Sequence, residues 1–306
     1  MSMPHPNANR LQGVLTAIVT PFAANGDLAL EHMPALLEFQ RQAGIDGVVV
    51  CGTNGEGTSL SVDERKRTLE AVLADRGGLK VIAATGAANL PDTIELTRHA
   101  ASAGADGALV LPPFFFKQPT VQGLAAWFAQ VLEAADLPIL LYNIPHQSAI
   151  AISDELIGLL SDHANLSGIK DSAGDWDVTA HTIARWPQLR VFAGSDRLGA
   201  RIAHTPAAAG SISGTANPFP EVIAGIHRAH AQDPHGNGAE AAQQRADALI
   251  DILLRYPLIA VSKSIMAHRG LPRLAVRSPL IDLTSAQEES LLAELHVAGL
   301  LSPSIV

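Results

Sequence analysis

The chain has 306 residues, 47% of them hydrophobic and 17% charged, with a formal net charge of −9. That profile excludes a disordered chain and leaves apolar material for a large core in one or two domains. The negative charge argues against a general affinity for nucleic acid or anionic membranes, but a local basic pocket can still take an anionic substrate. A single cysteine, Cys51, excludes an intramolecular disulfide and fits a reducing compartment. Residues 1–10 are short, polar and proline-bearing, with no apolar centre of a secretion signal, and nowhere is there an apolar run of about 18 residues. A cytoplasmic protein with no membrane and no nucleic-acid partner is expected.

Eight short apolar runs read as strands: 14–19, 47–51, 80–84, 107–111, 138–142, 166–170, 190–193 and 210–213. They are brief, flanked by Gly, Pro or Asp, and apolar throughout rather than alternating, as strands buried on both faces require. Helical spacing fills the intervals at 28–43, 61–74, 91–103, 120–134, 153–160, 175–185 and 196–203. Ser61 with Glu64 three residues on is a capping box, and Pro91 suits a first helical position. Eight strands alternating with helices predict an α/β fold, a (β/α)8 TIM barrel over residues 1–222. A doubly wound open sheet competes, but it usually places a Gly-rich turn after its first strand, where this chain has Thr20-Pro21-Phe22. Beyond residue 217 the strand signals stop. Helical patterns at 220–231, 239–255, 257–268 and 285–298 predict a C-terminal helical subdomain over 223–306.

A barrel of this kind presents its chemistry at the C-terminal ends of its strands. Of five lysines, only Lys170 ends a predicted strand at that face; Lys66 is on a charged helix surface, Lys80 begins a strand, Lys117 is in a loop and Lys263 in the helical tail. A partly desolvated amine has its charged form disfavoured and becomes nucleophilic toward a ketone. A strand-terminating lysine facing solvent is the bland alternative. Gly52-Thr53-Asn54-Gly55-Glu56 suits an anion cradle, since glycines let backbone N–H groups approach a carboxylate, but an ordinary βα turn would look similar. Tyr142 carries the only phenol on the predicted barrel face and suits proton transfer, or else packing. Cys51 reads as a small buried hydrophobe, His227 and His230 as surface residues with no metal, and Arg269, Arg273 and Arg277 as a solvated or interface patch.

Together these residues resemble the dihydrodipicolinate synthase / N-acetylneuraminate lyase family of pyruvate-dependent class I aldolases. Four blocks carry the resemblance in order: Thr16-Ala17-Ile18-Val19-Thr20-Pro21-Phe22, Gly52-Thr53-Asn54-Gly55-Glu56, Leu141-Tyr142-Asn143-Ile144-Pro145 and Gly168-Ile169-Lys170-Asp171-Ser172. Ala193-Gly194-Ser195-Asp196 and Ser211-Ile212-Ser213-Gly214 add two more. The resemblance implies a Schiff-base lyase in which Lys170 forms the imine, Tyr142 moves protons, and Thr53 and Asn54, with Gly52, hold the 2-oxo acid carboxylate. Gly194 and Ile212 would approach the same small substrate through the main chain. No cofactor is implied. The partners would be pyruvate, an aldehyde, and further copies of the chain in a homo-oligomeric dimer of dimers.

Three departures bear on the substrate. Gln147, beside His146, stands where the synthase has an arginine for its aldehyde's carboxylate. Phe114, Phe115, Phe116 and Lys117 leave no hydroxyl in the loop that supplies the synthase's relay tyrosine across a dimer interface, although the phenylalanines could still face a neighbouring subunit. Asn54 replaces the second threonine of the cradle. These changes disfavour dihydrodipicolinate synthesis and point to cleavage of a hydroxylated 2-oxo acid, such as a 2-keto-3-deoxy sugar acid or 4-hydroxy-2-oxo acid, with Gln147 contacting its tail. A 2-keto-3-deoxy acid dehydratase and a diverged synthase stay open, as does a non-catalytic barrel that binds 2-oxo acids.

Overall fold

The computed structural model describes residues 5, 6 and 11–301, so the reading of residues 1–10 falls largely outside it. Strands β1 (Gly13–Ala17), β2 (Gly47–Val50), β3 (Lys80–Ala84), β4 (Gly107–Val110), β5 (Ile139–Asn143), β6 (Leu166–Asp171), β7 (Arg190–Ala193) and β8 (Gly210–Ser213) pair in parallel and in sequence order into a closed barrel. Every expected apolar run became a strand. The first run ends early, because the Val19 N–H donates to the Asn217 side chain (2.9 Å) instead of to a neighbouring strand.

Alternation along each strand sorts the apolar residues into two cores. Inside the barrel, Leu15, Val49, Ile82, Leu109, Leu140 and Phe192 pack together with Tyr142. Outside it, Val48, Val50, Val81, Val110, Leu141 and Ile169 meet the helices. Both sides are buried, which is why the strands read as unbroken hydrophobic runs.

The surrounding helices are α1 (Met33–Gln42), α2 (Val62–Ala74), α3 (Leu90–Ala103), α4 (Val121–Leu132), α5 (Pro145–Ser148), α6 (Asp154–Leu160), α7 (Trp176–Arg185) and α8 (Gly199–Ala203). The first expected helix opens as a 3-10 turn over Leu30–His32 before α1 takes over. Pro34 lacks an N–H and so suits the first turn of α1. The capping box of α2 forms as expected: the Ser61 N–H donates to Glu64 (2.9 Å) and the Glu64 N–H to the Ser61 hydroxyl (3.2 Å). The one-turn helix α5 has no counterpart in the sequence pattern, being too short to show a period.

Four helices form the tail: α9 (Pro220–Gln232), α10 (Gly238–Leu253), α11 (Leu258–His268) and α12 (Ser285–Val297). The expected boundary at residues 222 and 223 falls inside α9, which packs against α8, α10 and β1. The rest of the tail has its own core of Phe219, Leu249, Val261, Ile265, Leu291 and Leu295. Among the described residues no helix is long and apolar enough to cross a membrane.

Two polar clusters fasten the barrel. Asn217 donates to the carbonyls of Ala17 (2.8 Å) and Gly214 (3.0 Å), while Gln40 accepts from the Thr16 hydroxyl (2.7 Å) and donates to the Ala216 carbonyl (3.2 Å). These links join β1 to the end of β8, where the sheet closes. His227, expected on the surface, is instead half-buried with its ring 3.0 Å from the Ser211 hydroxyl, and burial drives its pKa down to about 4.

Arg277 also departs from its expected place in a solvated patch. Its guanidinium grips Glu64 through two bonds (2.9 and 2.7 Å) and reaches the carbonyls of Ser59 and Gly26, so it straps the tail to α2. Those hydrogen bonds hold the Glu64 carboxyl at about 2, against ~4.3 for an unperturbed glutamate. A depressed carboxylate contributes its stability fully above ~4.3 and loses it as pH falls through the folded value. Glu64→Gln should therefore melt below the parent at neutral pH and converge with it as the pH approaches 2. Melting curves that stay parallel across that window would show that the pair contributes nothing.

Candidate active site

The C-terminal ends of β2, β5, β6, β7 and β8 surround one cavity of about 800 Å³. Register decides what enters it. Tyr142 on β5 lies opposite Lys170 on β6, so both side chains turn to the barrel interior. The Lys170 amine is 3.2 Å from the Tyr142 hydroxyl and 4.3 Å from its ring centre. The Tyr142 hydroxyl is 3.4 Å from the Thr53 hydroxyl. Lys170 and Tyr142 are 4% and 5% exposed, which removes the solvent-facing reading of the lysine. Burial alone would push the Tyr142 phenol up, but the Lys170 charge and hydrogen bonding to Thr53, Lys170 and Ser172 outweigh it, leaving the phenol below its ordinary value.

The neighbouring strand ends fix that pair. The Asn143 amide donates to Asp171 (2.8 Å), which also accepts from the Thr179 hydroxyl (2.6 Å) and the Ala173 N–H (3.1 Å). Gly194 lies so close that a Cβ there would stand 2.9 Å from Lys170 Cε and 1.9 Å from Ser172 Oγ. Only a residue without a side chain leaves the lysine its position.

Thr53, Asn54, Gly194, Ile212 and Gln147 all line the cavity with Lys170 and Tyr142. Asn54 reaches across to β8, its amide nitrogen 2.9 Å from where a Cβ on Gly214 would stand. Gln147 is at the exposed rim on α5. Gly52 is buried and is not among the residues that line the cavity; its carbonyl accepts the Gly57 N–H (3.0 Å) and closes the turn. Cys51 is buried, and burial raises its thiol to about 12, which suits an inert packing residue.

Three contributors were not singled out by sequence reasoning. Ser172 and Asp196 line the cavity, and burial pushes the Asp196 carboxyl up despite hydrogen bonds from Thr215 and Ser213 and the nearby Lys170 charge. Each ends a block already quoted, so placement just past a strand end was the available signal. The third is Lys263, set aside as a tail residue. Its amine is buried and binds Glu56 of the cradle at 2.6 Å and the Ala275 carbonyl at 2.7 Å. Glu56 also accepts the Arg277 N–H (2.8 Å), and the Thr20 hydroxyl donates to the Gly55 carbonyl (2.6 Å). Burial holds the Lys263 amine below its ordinary value in spite of the carboxylate beside it. The loop needs such anchors because Cys51 and Glu56 sit at φ of 58° and 52°, a region that costs non-glycine residues energy. A lone charge in the apolar sequence of α11 was the legible clue.

A closed (β/α)8 barrel with a buried lysine beside a phenol at the C-terminal ends of its strands suits a lyase. The sequence model of the dihydrodipicolinate synthetase family matches residues 10–298, and the chain belongs to that family. It is 40% identical over 289 residues to an uncharacterized DapA-like lyase of Chloroflexus aurantiacus, covering 92% of this chain and 95% of that one. It is 33% identical to the 4-hydroxy-tetrahydrodipicolinate synthase of an Exiguobacterium species, covering 93% and 97%. Among solved structures it resembles YagE, a prophage protein of the same family from E. coli K12 in complex with pyruvate. That match has a TM-score of 0.88 and 26% identity, and covers 95% of this chain and 99% of the other.

Removing the buried cation should be costly, because an unpaired carboxylate then remains in the interior. Lys263→Met should destabilise the protein by about 3–5 kcal/mol in urea unfolding, with much of the loss recovered in Lys263→Met/Glu56→Gln. Equal stability of the single and double variants would show that the pair is not coupled.

Proposed function

We propose that this lyase cleaves a 4-hydroxy-2-oxo acid, the class to which 2-keto-3-deoxy sugar acids belong, into pyruvate and an aldehyde through an imine on Lys170. The observation that carries this reading is the buried Lys170–Tyr142 pair and its link to the exposed Thr53 hydroxyl, with contacts of 3.2 and 3.4 Å at the strand ends. The Lys170 amine adds to the C2 carbonyl and water leaves, giving an iminium. The Tyr142 phenolate takes the proton of the C4 hydroxyl, the C3–C4 bond breaks, and its electron pair moves onto C3 as an enamine while the iminium charge is neutralised. The aldehyde departs, C3 is protonated, and water hydrolyses the imine to release pyruvate and free Lys170. The iminium itself is the electron sink, so no cofactor is required. The Thr53 hydroxyl and Asn54 amide suit the substrate carboxylate at the inner end.

Gln147 in place of a guanidinium supports a tail without a second carboxylate, since an amide offers hydrogen bonds but no bidentate cation. Phe115 and Phe116, each 71% exposed on the loop after β4, support a homo-oligomer, with a dimer of dimers in the cytoplasm as the expected state.

Incubation with pyruvate and sodium borohydride should leave a reduced adduct on Lys170, seen by intact mass and peptide mapping, and none on Lys170→Ala. Gly194→Ala should stay folded yet slow trapping by about 100-fold, because displacement of the amine by an ångström or so is enough. A folded parent that yields no adduct with pyruvate or other 2-oxo acids would leave the non-catalytic binding barrel as the better reading.

A further inference from the structure

We infer that the aldehyde half of the substrate carries an apolar tail, alkyl or aryl, seated against a wall that the C-terminal helices contribute to the cavity. The inference rests on the lyase reading above and names the acceptor class within it. A cavity of about 800 Å³ is far larger than a three-carbon acid needs and falls in the range of about 300–1,000 Å³ that encloses drug-sized ligands. Its two ends differ in chemistry. Around Lys170 the lining is polar, with Tyr142, Thr53, Asn54, Ser172 and Asp196 grouped where the carboxylate, the imine carbon and the C4 hydroxyl would lie. Farther out, the end of α10, the start of α11 and the segment before α12 supply Leu253, Leu254, Leu258, Ile259, Leu280 and Ile281. None of these side chains can donate or accept a hydrogen bond.

Exposure points the same way. Eight large hydrophobic residues are exposed among the described residues, and three of them, Leu254 (61%), Leu280 (39%) and Ile281 (79%), belong to this one wall. Apolar surface gathered at the mouth of a pocket marks a binding surface more often than chance exposure does. A charged tail finds little to hold it. Besides Lys170, Arg197 is the only arginine or lysine lining the cavity among the described residues, and its guanidinium is bound to Asp251 (2.5 Å) with Asp247 3.8 Å away. His146 and Gln147 at the rim offer hydrogen bonds outside this wall, but a polyhydroxylated tail laid on the wall itself would lose its hydration without replacement partners, which costs free energy.

The test is a set of 4-hydroxy-2-oxo acids of equal chain length that differ only beyond C4: a phenyl or hexyl tail, a polyol tail and a carboxylate tail. Pyruvate release is followed for each, alongside borohydride trapping of pyruvate on the same preparation. The apolar-tailed substrate should exceed the polyol by at least about tenfold in kcat/KM, and Leu280→Ser/Ile281→Ser should bring that ratio toward one. Both positions are exposed, so the double variant keeps the core intact. Equal or better turnover of the polyol or carboxylate substrate, with the Lys170 adduct formed, would overturn the apolar-tail inference alone. A ratio unchanged in the double variant would likewise overturn it by removing the wall from substrate selection. Absence of the adduct would overturn the lyase reading and this inference with it.

Discussion

Everything proposed for this protein depends on the pairing of β5 with β6. Tyr142 stands opposite Lys170, and Asn143 stands opposite Asp171. The first pair turns inward to the cavity, while the second forms a buried hydrogen bond between the strand ends. A slip of one residue would send the phenol or the amine to the helix side, since side chains alternate faces along a strand. The register is irregular near Ile139 and Leu140 and regular from there on, so the irregularity is absorbed below the chemistry. The Asn143–Asp171 contact then acts as a local gauge, because in any other register its partners would not meet.

The fold was largely legible because burial on both faces leaves a plain mark. Val48, Val49 and Val50 are all inaccessible to water, and a strand like that must be apolar at each position. What escaped was structure without a period. Helix α5 is a single turn, and β1 stops where a side chain from 198 residues away takes over its hydrogen bonding. The line between barrel and tail leaves no such plain mark. Helix α9 looks like the other tail helices in sequence, yet it packs on β1 and α8 as well as on α10, and packing partners are not written in one helix's own pattern.

The site was legible in part. Lys170 emerged from counting lysines against strand ends, and its burial beside Tyr142 and Thr53 matches that placement. Lys263 failed the same count because position alone cannot reveal a partner 207 residues distant. Arg277 was misjudged similarly: in sequence it belongs to a cluster of arginines, and only the folded chain shows it bound to Glu64. The apolar wall was invisible too, since leucines and isoleucines on tail helices look like core residues whether or not they face a cavity.

The Glu56–Lys263 pair has a consequence for how the protein is made. Glu56 leaves the ribosome early, and its counter-ion follows 207 residues later, which at cellular elongation speeds is a delay on the order of 10–40 s. Throughout that interval the turn that carries Thr53 and Asn54 has no cation to hold its carboxylate in the interior, so it has reason to stay open to water while the strands behind it assemble. Completion of that turn therefore belongs to the last stage of synthesis. A nascent chain can hold all eight strands of the barrel and still lack the cation that anchors this turn.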